Sequence, residues 1–285
     1  MRHAFQVQVG PVAFRIGSAW RQPVDALESL YRAYPKPRGI CDYTIRLEPA
    51  RPWRKLLRPS VMIAGDFTLP EAAPLPLSLG LLAAEMGMNL QLALGERRFL
   101  LLHAATVERD GKALILTGES GAGKSTLATL LGSDGWRFMG DEFALVEPET
   151  GLAHPFPRPS SLKNESIAEA MAVIDPARFG PLLANTPKGD IRHVVPSADA
   201  LGAMGKPAVP ALILFPRFGL SEAARPVPPS EAFVRLTQAS TNYVALGERG
   251  FSALTHLVEG VPSVALDYPD MPTARRMIED LWSAL

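Results

Sequence analysis

The stretch GESGAGKST, residues 118–126, constrains the fold of this 285-residue chain more than any other segment. It matches the pattern G-x-x-x-x-G-K-[ST] and lies between the apolar strand pattern ALILT and the helical pattern STLATLL. Glycines let such a loop turn its backbone N–H groups toward phosphate oxygens, and the following helix presents its positive end to the same anion. The sequence therefore predicts an α/β nucleotide-binding unit.

The loop also predicts which residues bind ATP and Mg²⁺. We expect Lys124 to reach the β- and γ-phosphates of ATP, and the Ser125 hydroxyl to bind Mg²⁺. The predicted nucleotide-binding residues are Gly118, Glu119, Ser120, Gly121, Ala122, Gly123, Lys124, Ser125 and Thr126. The loop alone does not separate a kinase from an ATPase motor, a transporter subunit or a GTPase.

A P-loop site needs a carboxylate near the metal, and the sequence offers two candidates. Asp141 and Glu142 follow the strand pattern WRFMG, one helix beyond the loop, whereas Asp267 ends the distant apolar run SVAL. Asp267 would suit a motor-type ATPase, but it also fits a simple turn before a proline. Two adjacent acids allow one to hold metal while the other accepts a hydroxyl proton, which favours a kinase. The alternative is that Glu142 faces solvent, unless the strand ends or bends at Gly140.

Charge and cysteine content limit the partners. Lys plus Arg equals Asp plus Glu at 29 each, so no global field attracts nucleic acid or an anionic membrane. One cysteine, Cys41, and an N-terminus without a secretory apolar run favour the cytoplasm. One cysteine and scattered histidines also argue against a Cys/His metal site. No LSGGQ-like segment lies between the loop and Asp267, which argues against an ABC-type ATPase.

We expect two parts in the chain, a small α+β module over residues 1–95 and a catalytic domain over residues 96–285. Alternating apolar residues predict a hairpin around Gly10 and a strand at CDYTIRLE, with a helix after Pro23 between them. The apolar run 75–94 is long enough to span a bilayer. It contains Glu85, Asn89 and Gln91, so a buried helix is favoured.

Residues 49–76 are rich in proline and carry a cluster of basic and aromatic side chains. The cluster comprises Arg51, Trp53, Arg54, Lys55 and Arg58. It predicts a solvated linker with Trp53 packed down, and the alternative is a docking surface for an acidic peptide.

Two segments carry a family resemblance. LLHAATVERDGKALILTGESGAGKST, which contains His103, and GWRFMGDEFALV resemble the catalytic core of HPr kinase/phosphorylase. The wider chain is similar to the branch called HprK-related kinase A, through VGPVAFRIGS, RPSSLKNESI, TPKGDIRH, ILFPR and NYVALGERGF. This resemblance covers nearly the whole chain. It implies an HPr-kinase-like P-loop catalytic domain with a small N-terminal α+β module.

The resemblance implies roles for individual residues. Lys124 would bind phosphate, Ser125 and Asp141 would bind Mg²⁺, and His103 would lie near the reacting phosphate. Glu142 matches the second acid of the pair, expected near the acceptor serine as base. HPr kinases usually have Asp there, so the choice of base between the two acids stays open. A lone strand histidine is otherwise typical of a protein core.

The resemblance has a gap. The glycine- and arginine-containing signature of HPr kinases, which is associated with phosphorolysis, is not visible in PFPRPSSLKNESI. We therefore expect a kinase without phosphorylase activity and an acceptor other than HPr. HPr kinases assemble as hexamers. The resemblance therefore suggests a homo-oligomer here, although no residues of this chain can be matched to the interfaces of that family.

Further cations are expected around the transferring phosphoryl group, because its charge spreads over the equatorial oxygens. The candidates are Lys163, Lys188, Arg217 and Arg192, in that order, all in loop-like stretches or at a strand end. Each alone also fits a surface charge. As a group they are favoured because the resembling branch has the same short segments.

The leading hypothesis is a kinase that uses ATP and Mg²⁺ to phosphorylate a serine or threonine hydroxyl of a small protein or ribosomally made peptide. Relatives of HPr kinase include lasso-peptide tailoring kinases that act on a C-terminal serine, which favours a peptide acceptor. The alternatives are a small-molecule kinase and a nucleotide-dependent switch without an acceptor.

Overall fold

The computed structural model of this protein describes residues 2–68 and 73–285. Its strands are β1 (His3–Val9), β2 (Val12–Ser18), β3 (Tyr43–Pro49), β4 (Ser60–Gly65), β5 (Leu75–Pro76), β6 (Leu100–Leu102), β7 (Ala104–Arg109), β8 (Lys112–Thr117), β9 (Arg137–Gly140), β10 (Ala144–Val146), β11 (Ala153–His154), β12 (Ser160–Lys163), β13 (Phe179–Thr186), β14 (Gly189–Val194), β15 (Val209–Phe218), β16 (Ala223–Pro226) and β17 (Ser263–Tyr268). Its helices are α1 (Arg21–Leu30), α2 (Gly80–Gly95), α3 (Lys124–Leu131), α4 (Glu165–Met171), α5 (Ala198–Gly202), α6 (Pro229–Ala239), α7 (Tyr243–Leu246), α8 (Glu248–Gly260) and α9 (Met271–Ser283). This mixed α/β architecture agrees with the predicted fold class.

The N-terminal module is a sheet with the strand order β1-β2-β3-β4-β5, covered by α1 and α2. The predicted hairpin, helix and strand are all present, and β2 pairs with β3 in parallel. Gly10 in the hairpin turn has φ +52°, and a Cβ there would lie 1.9 Å from the Pro155 carbonyl oxygen. The turn therefore requires glycine, and through it the module contacts the second half of the chain.

Residues 49–76 were expected to form a linker, and the structure corrects this in the part it describes. The short 3-10 helix Pro52–Lys55 leads into β4, which pairs with β3, and β5 then pairs with β4. Trp53 is 54% exposed rather than packed down. The predicted linker also includes residues 69–72, which lie outside the described residues.

The central sheet has the strand order β16-β17-β15-β8-β7-β9, with β8, β15 and β17 parallel. The parallel strands β8, β15 and β17 are largely apolar on both sides because both faces of the sheet are covered there. One face packs against α3 and α9, and the other against α6 and α8. Leu114 and Leu116 of β8 point to the first face and Ile115 to the second. The helix α3 ends at Leu131, and its C-cap is Gly132.

Two small sheets complete the described fold, with strand orders β11-β10-β6 and β12-β14-β13. The second of these sheets, together with α4, follows β11 in the chain. It brings the RPSSLKN and NTPKGD segments close together. Leu101, Leu145 and Phe156 belong to the same apolar core as the N-terminal sheet. The module and the second part of the chain thus share a core, and the boundary at residue 95 stays a prediction.

Glu85 of the apolar helix α2 forms a buried ion pair with Arg158. Arg158 and Glu85 are 4% and 5% exposed and form a salt bridge. The Arg158 guanidinium also donates to the Glu85 carbonyl at 3.1 Å and to the Asn89 side chain. Tyr31 donates its hydroxyl to Glu85 Oε1 at 2.7 Å. Gln91 pairs instead with the backbone of Phe67. The polar side chains of the apolar run therefore form hydrogen bonds with partners inside the protein.

By length and composition, Leu77–Gly95 is long and apolar enough to cross a membrane, and it is the one such helix found among the described residues. In the structure it packs against α1, β3 and β4, with 56% of the apolar window buried. This placement agrees with the predicted buried helix.

Removing one partner of the ion pair should destabilise the protein strongly. Arg158→Met leaves the Glu85 carboxylate buried without its cation, and we expect a loss of about 3–5 kcal/mol in the free energy of unfolding. The double variant Glu85→Met/Arg158→Met should recover much of that loss, because it removes both charges. Urea unfolding followed by circular dichroism measures both. A single variant as stable as the double variant would contradict the assignment.

Candidate active site

The loop formed by residues 118–126 is shaped by glycines with positive φ. Gly118, Gly121 and Gly123 have φ of +151°, +86° and +87°. A Cβ on Gly123 would lie 2.2 Å from the Tyr268 hydroxyl, which donates a hydrogen bond to the Ala122 carbonyl at 2.8 Å. The end of β17 thus holds the loop in place. Such a backbone cradle at the start of a helix fits a phosphate group.

Lys124 begins α3 and bends back over the loop. Its Nζ donates to the carbonyl oxygens of Gly118 and Glu119 at 2.8 and 2.9 Å. Burial lowers the pKa of Lys124, and the charge of Lys163 acts in the same direction against the opposing pull of Asp141 and Glu142. The ammonium group is therefore held among acidic and basic side chains at the place where a phosphate would sit.

Asp141 is the centre of the hydrogen-bond network. It is 4% exposed, and its Oδ1 accepts from Ser125 Oγ at 2.9 Å and from the Glu142 backbone N–H at 3.0 Å. Its Oδ2 accepts from Ser160 Oγ at 3.1 Å. Ser160 in turn accepts from Thr129 Oγ1 at 2.8 Å. The two predicted Mg²⁺ ligands are therefore in direct contact.

Burial raises the pKa of Asp141, and the neighbouring charge of Glu142 raises it further. The hydrogen bonds from Ser125, Ser160 and the backbone oppose this shift without cancelling it. A buried carboxylate with an elevated pKa is a group that a cation would stabilise in its ionised form. The network thus fits a divalent metal ion.

Glu142 faces the pocket, not bulk solvent alone. The strand β9 ends at Gly140, and Glu142 adopts φ +75°, an unusual conformation for a residue with a side chain. Its Oε2 lies 3.7 Å from His103 Nδ1, and the two side chains are 34% and 43% exposed. Because the backbone turns here, Asp141 and Glu142 do not point to opposite sides, as neighbouring side chains in a regular strand would. Two carboxylates and a histidine therefore meet at one pocket.

The sheet of β12, β14 and β13 supplies two cations. Lys163 ends β12, and Lys188 lies in the hairpin between β13 and β14. Asn164, at φ +51°, accepts from the Asp190 N–H at 3.2 Å, and Gly189 is packed so closely that a Cβ would lie 2.3 Å from Asn164 Oδ1. This packing fixes the two lysine-bearing segments next to each other.

The pocket has a volume of about 480 Å³. It is lined by seven of the predicted residues: His103, Lys124, Ser125, Asp141, Glu142, Lys163 and Lys188. Other predicted loop residues, Ser120, Gly121, Gly123 and Thr126, line it as well. The structure therefore brings together predicted residues from distant segments of the chain, from His103 to Lys188.

Two predicted cations are not brought to the pocket. Arg217 donates to both carboxylate oxygens of Asp267, at 2.7 and 2.5 Å, and does not line the pocket. Arg192 lies over the Phe179 ring and donates to the Gly180 carbonyl at 2.9 Å. The pairing with Arg217 also gives Asp267 a structural partner, which favours Asp141 as the metal-binding acid.

Several residues of the site were not predicted from the sequence. Ser160 does not line the pocket, but its hydroxyl donates to Asp141, and no motif indicates a serine that bonds to an acid 19 positions earlier. Glu165 and Glu169 lie one turn apart on α4, and Phe218 and Met271 form an apolar wall. Burial raises the pKa of Glu169, and Glu165 adds to the shift. The i, i+4 spacing of these two acids was the signal available in the sequence.

In the described part of the chain, no group of three or more His, Cys, Asp or Glu side chains could hold a metal ion. Mg²⁺ at a P-loop does not need such a group, because it is bound by one or two protein oxygens together with phosphates and water. Ser125 and Asp141 supply protein oxygens of this kind.

Comparisons with known proteins give a family-model match over part of the chain and a match to a solved structure. A family model described as SynChlorMet cassette protein ScmC matches residues 82–179, a minority of the chain that includes His103 and the acidic pair. Among solved structures, the HPr(Ser) kinase/phosphatase from Coxiella burnetii is 15% identical, with 64% of this chain and 97% of that chain covered and a TM-score of 0.29. A TM-score this low supports no inference. No curated protein matches the chain significantly. Membership of the HprK-related kinase A branch stays a prediction.

The elevated pKa of Asp141 predicts a gain in stability on substitution. Without metal, ionisation of this buried group opposes folding, so Asp141→Asn should raise the free energy of unfolding at pH 7 in EDTA. The folded-state pKa is the higher one, so the gain should disappear as the pH falls below the unfolded-state pKa of about 4. Urea unfolding at pH 7 and pH 4 measures this difference. As a matched control, Asp267→Asn weakens the Arg217 pair and should give no gain; a loss for Asp141→Asn at pH 7 would contradict the prediction.

Proposed function

We propose that this protein is a kinase that uses ATP and Mg²⁺ to phosphorylate a serine or threonine hydroxyl of a small protein or peptide. The observation that carries the proposal is the hydrogen bond of Asp141 to Ser125, with Glu142 turned into the same pocket. A hydrolase needs only a positioned water, whereas transfer to a hydroxyl needs a base beside the metal-binding acid. The paired acids support transfer.

The loop and Lys124 would hold the phosphates. Backbone N–H groups between Gly118 and Gly123 would donate to phosphate oxygens, and Lys124 Nζ would exchange its two carbonyl acceptors for phosphate oxygens. Ser125 and Asp141 would hold Mg²⁺, which when bound supplies positive charge to the β- and γ-phosphates. Lys163 and Lys188 would add cations on the opposite wall of the pocket, where charge develops on the transferred group.

Glu142 is the proposed base. It is partly exposed and lies 3.7 Å from His103, so an acceptor hydroxyl can reach it from solvent while His103 stays next to the reacting group. Asp141 is less suited to this role, because its oxygens already accept hydrogen bonds from Ser125, Ser160 and the backbone. The partial exposure of Glu142 and His103 also supports a peptide acceptor over a small metabolite that needs a closed pocket.

Three substitutions separate transfer from simple nucleotide binding. Asp141→Asn and Glu142→Gln should each reduce phosphoryl transfer from γ-labelled ATP by about a hundredfold or more, whereas Asp267→Asn should be largely tolerated. The measurement uses purified protein and a panel of serine- and threonine-containing peptides encoded next to its gene. Glu142→Gln should keep the affinity for ATP and Mg²⁺. ATP consumption without a labelled acceptor across the panel would contradict the proposal.

The lysines of the pocket should also matter for transfer. Lys163→Met should lower the rate of transfer by about a hundredfold, because it removes a cation from a partly desolvated site, and Lys188→Met should have a smaller effect. Arg192→Met is the matched control: this arginine lies on the neighbouring strand and outside the pocket, so transfer should change little. Equal rates for Lys163→Met and Arg192→Met would show that Lys163 has no part in the reaction.

A further inference from the structure

A second concave site lies on the N-terminal module. It is an open cleft with a volume of about 760 Å³, larger than the pocket at the P-loop. Arg51, Arg54 and Arg58 line it together with prolines of β5 and of the loop before β4. No acidic side chain lines the cleft among the residues that the structure describes. We call this site the arginine cleft.

The three arginines have no carboxylate partner in the described structure. Arg54 donates to the Arg58 carbonyl at 3.2 Å, and Arg51 lies 5.3 Å from the centre of the Trp53 ring. Other surface arginines of the same module are paired, such as Arg21 with Asp25 and Arg46 with Glu48. In a chain with equal numbers of acidic and basic residues, three arginines that line one cleft, with no counter-charge among the described residues, are suited to bind an anionic ligand.

The cleft is held by rigid elements. The Trp20 indole donates to the Lys55 carbonyl at 3.0 Å and fixes the 3-10 helix that carries Arg54. Arg58 has φ +46°, a conformation unfavourable for a residue with a side chain, and its carbonyl accepts the bond from Arg54. The guanidinium groups are thus presented by an ordered turn in this structure, and the same turn exposes Trp53, Leu56 and Leu57 by 54%, 84% and 70%.

We propose that the arginine cleft binds an acidic segment of the acceptor peptide, outside the part that is phosphorylated. This inference rests on the proposed function. An extended chain with two or three carboxylates can enter a cleft walled by prolines, and apolar residues beside the carboxylates can pack on Trp53, Leu56 or Leu57. A flat anionic membrane is disfavoured by the zero net charge of the protein, which gives no overall attraction to such a surface. Nucleic acid is disfavoured by the zero net charge of the protein.

The cleft is connected to the catalytic part through α2. Leu77 and Ser78 line the cleft directly before this helix, and its middle turn carries Glu85, the partner of Arg158. A peptide held at the cleft would therefore keep a fixed relation to the P-loop pocket and raise the local concentration of its own hydroxyl there. Docking of this kind increases specificity without adding contacts at the reacting atoms.

The test uses two ten-residue peptides that carry a fluorescein label. The acidic peptide consists of Asp and Glu residues and two Leu residues. The matched amide peptide has Asn and Gln in place of the acids. Binding is followed by anisotropy in low salt, without ATP or Mg²⁺. The triple variant Arg51→Glu/Arg54→Glu/Arg58→Glu should bind the acidic peptide about tenfold more weakly, or worse. The matched control Arg2→Glu/Arg32→Glu/Arg38→Glu reverses three exposed charges outside the cleft and should bind like the wild type.

Four outcomes would overturn the inference: no binding of the acidic peptide to the wild type, equal binding of the amide peptide, an equal loss in both triple variants, or no loss in either. Binding to vesicles of phosphatidylserine and phosphatidylcholine that needs the same three arginines, without peptide binding, would assign the cleft to a membrane instead. The assay is independent of catalysis. Peptide binding without phosphate transfer would contradict the kinase proposal and support the proposed role of the arginine cleft. Phosphate transfer without peptide binding would support the kinase proposal and contradict the role of the cleft.

Discussion

The arrangement of this site depends on the hydrogen bond between Ser125 and Asp141. Ser125 lies in the first turn of the helix after the phosphate-binding loop, and Asp141 follows the next strand. Because the carboxylate is buried, it is stabilised by donors on several sides, and each donor fixes a different part of the chain. Ser125 fixes the loop, Ser160 fixes the sheet that carries the lysines, and the backbone N–H of Glu142 fixes the second acid.

The same network extends into the N-terminal module. Ser160 begins β12 only two residues after Arg158, which is bound by Glu85 and Asn89 of α2. A buried ion pair adds little net stability by itself, but its geometry is specific. The module is therefore joined to the strand that supports Asp141 by directional contacts, in addition to the shared apolar core.

Much of the site could be predicted from the sequence because its residues belong to short local patterns. The loop, the helix and the acidic pair follow one another directly, so their proximity is set by a strand–loop–helix–strand unit. Lys163 and Lys188 were candidates from their loop-like placement and were favoured through the family resemblance, because their approach to the pocket depends on the hairpin of β13 and β14. Arg217 pairs with Asp267 outside the pocket, and nothing in ILFPR indicates that parallel pairing places Asp267 beside it; its role in the reaction stays a prediction. The role of Ser160 depends on tertiary packing, which no local pattern records.

The bond from Tyr268 to the loop has a consequence for the order in which the protein matures. The loop is complete in sequence at Thr126, yet the hydroxyl that supports Ala122 belongs to β17. On the ribosome, well over a hundred further residues must emerge before this strand can dock beside β15. A nascent chain would thus carry the full glycine motif for about half of its synthesis without the support that shapes it, and ATP could assist folding only as one of the last steps.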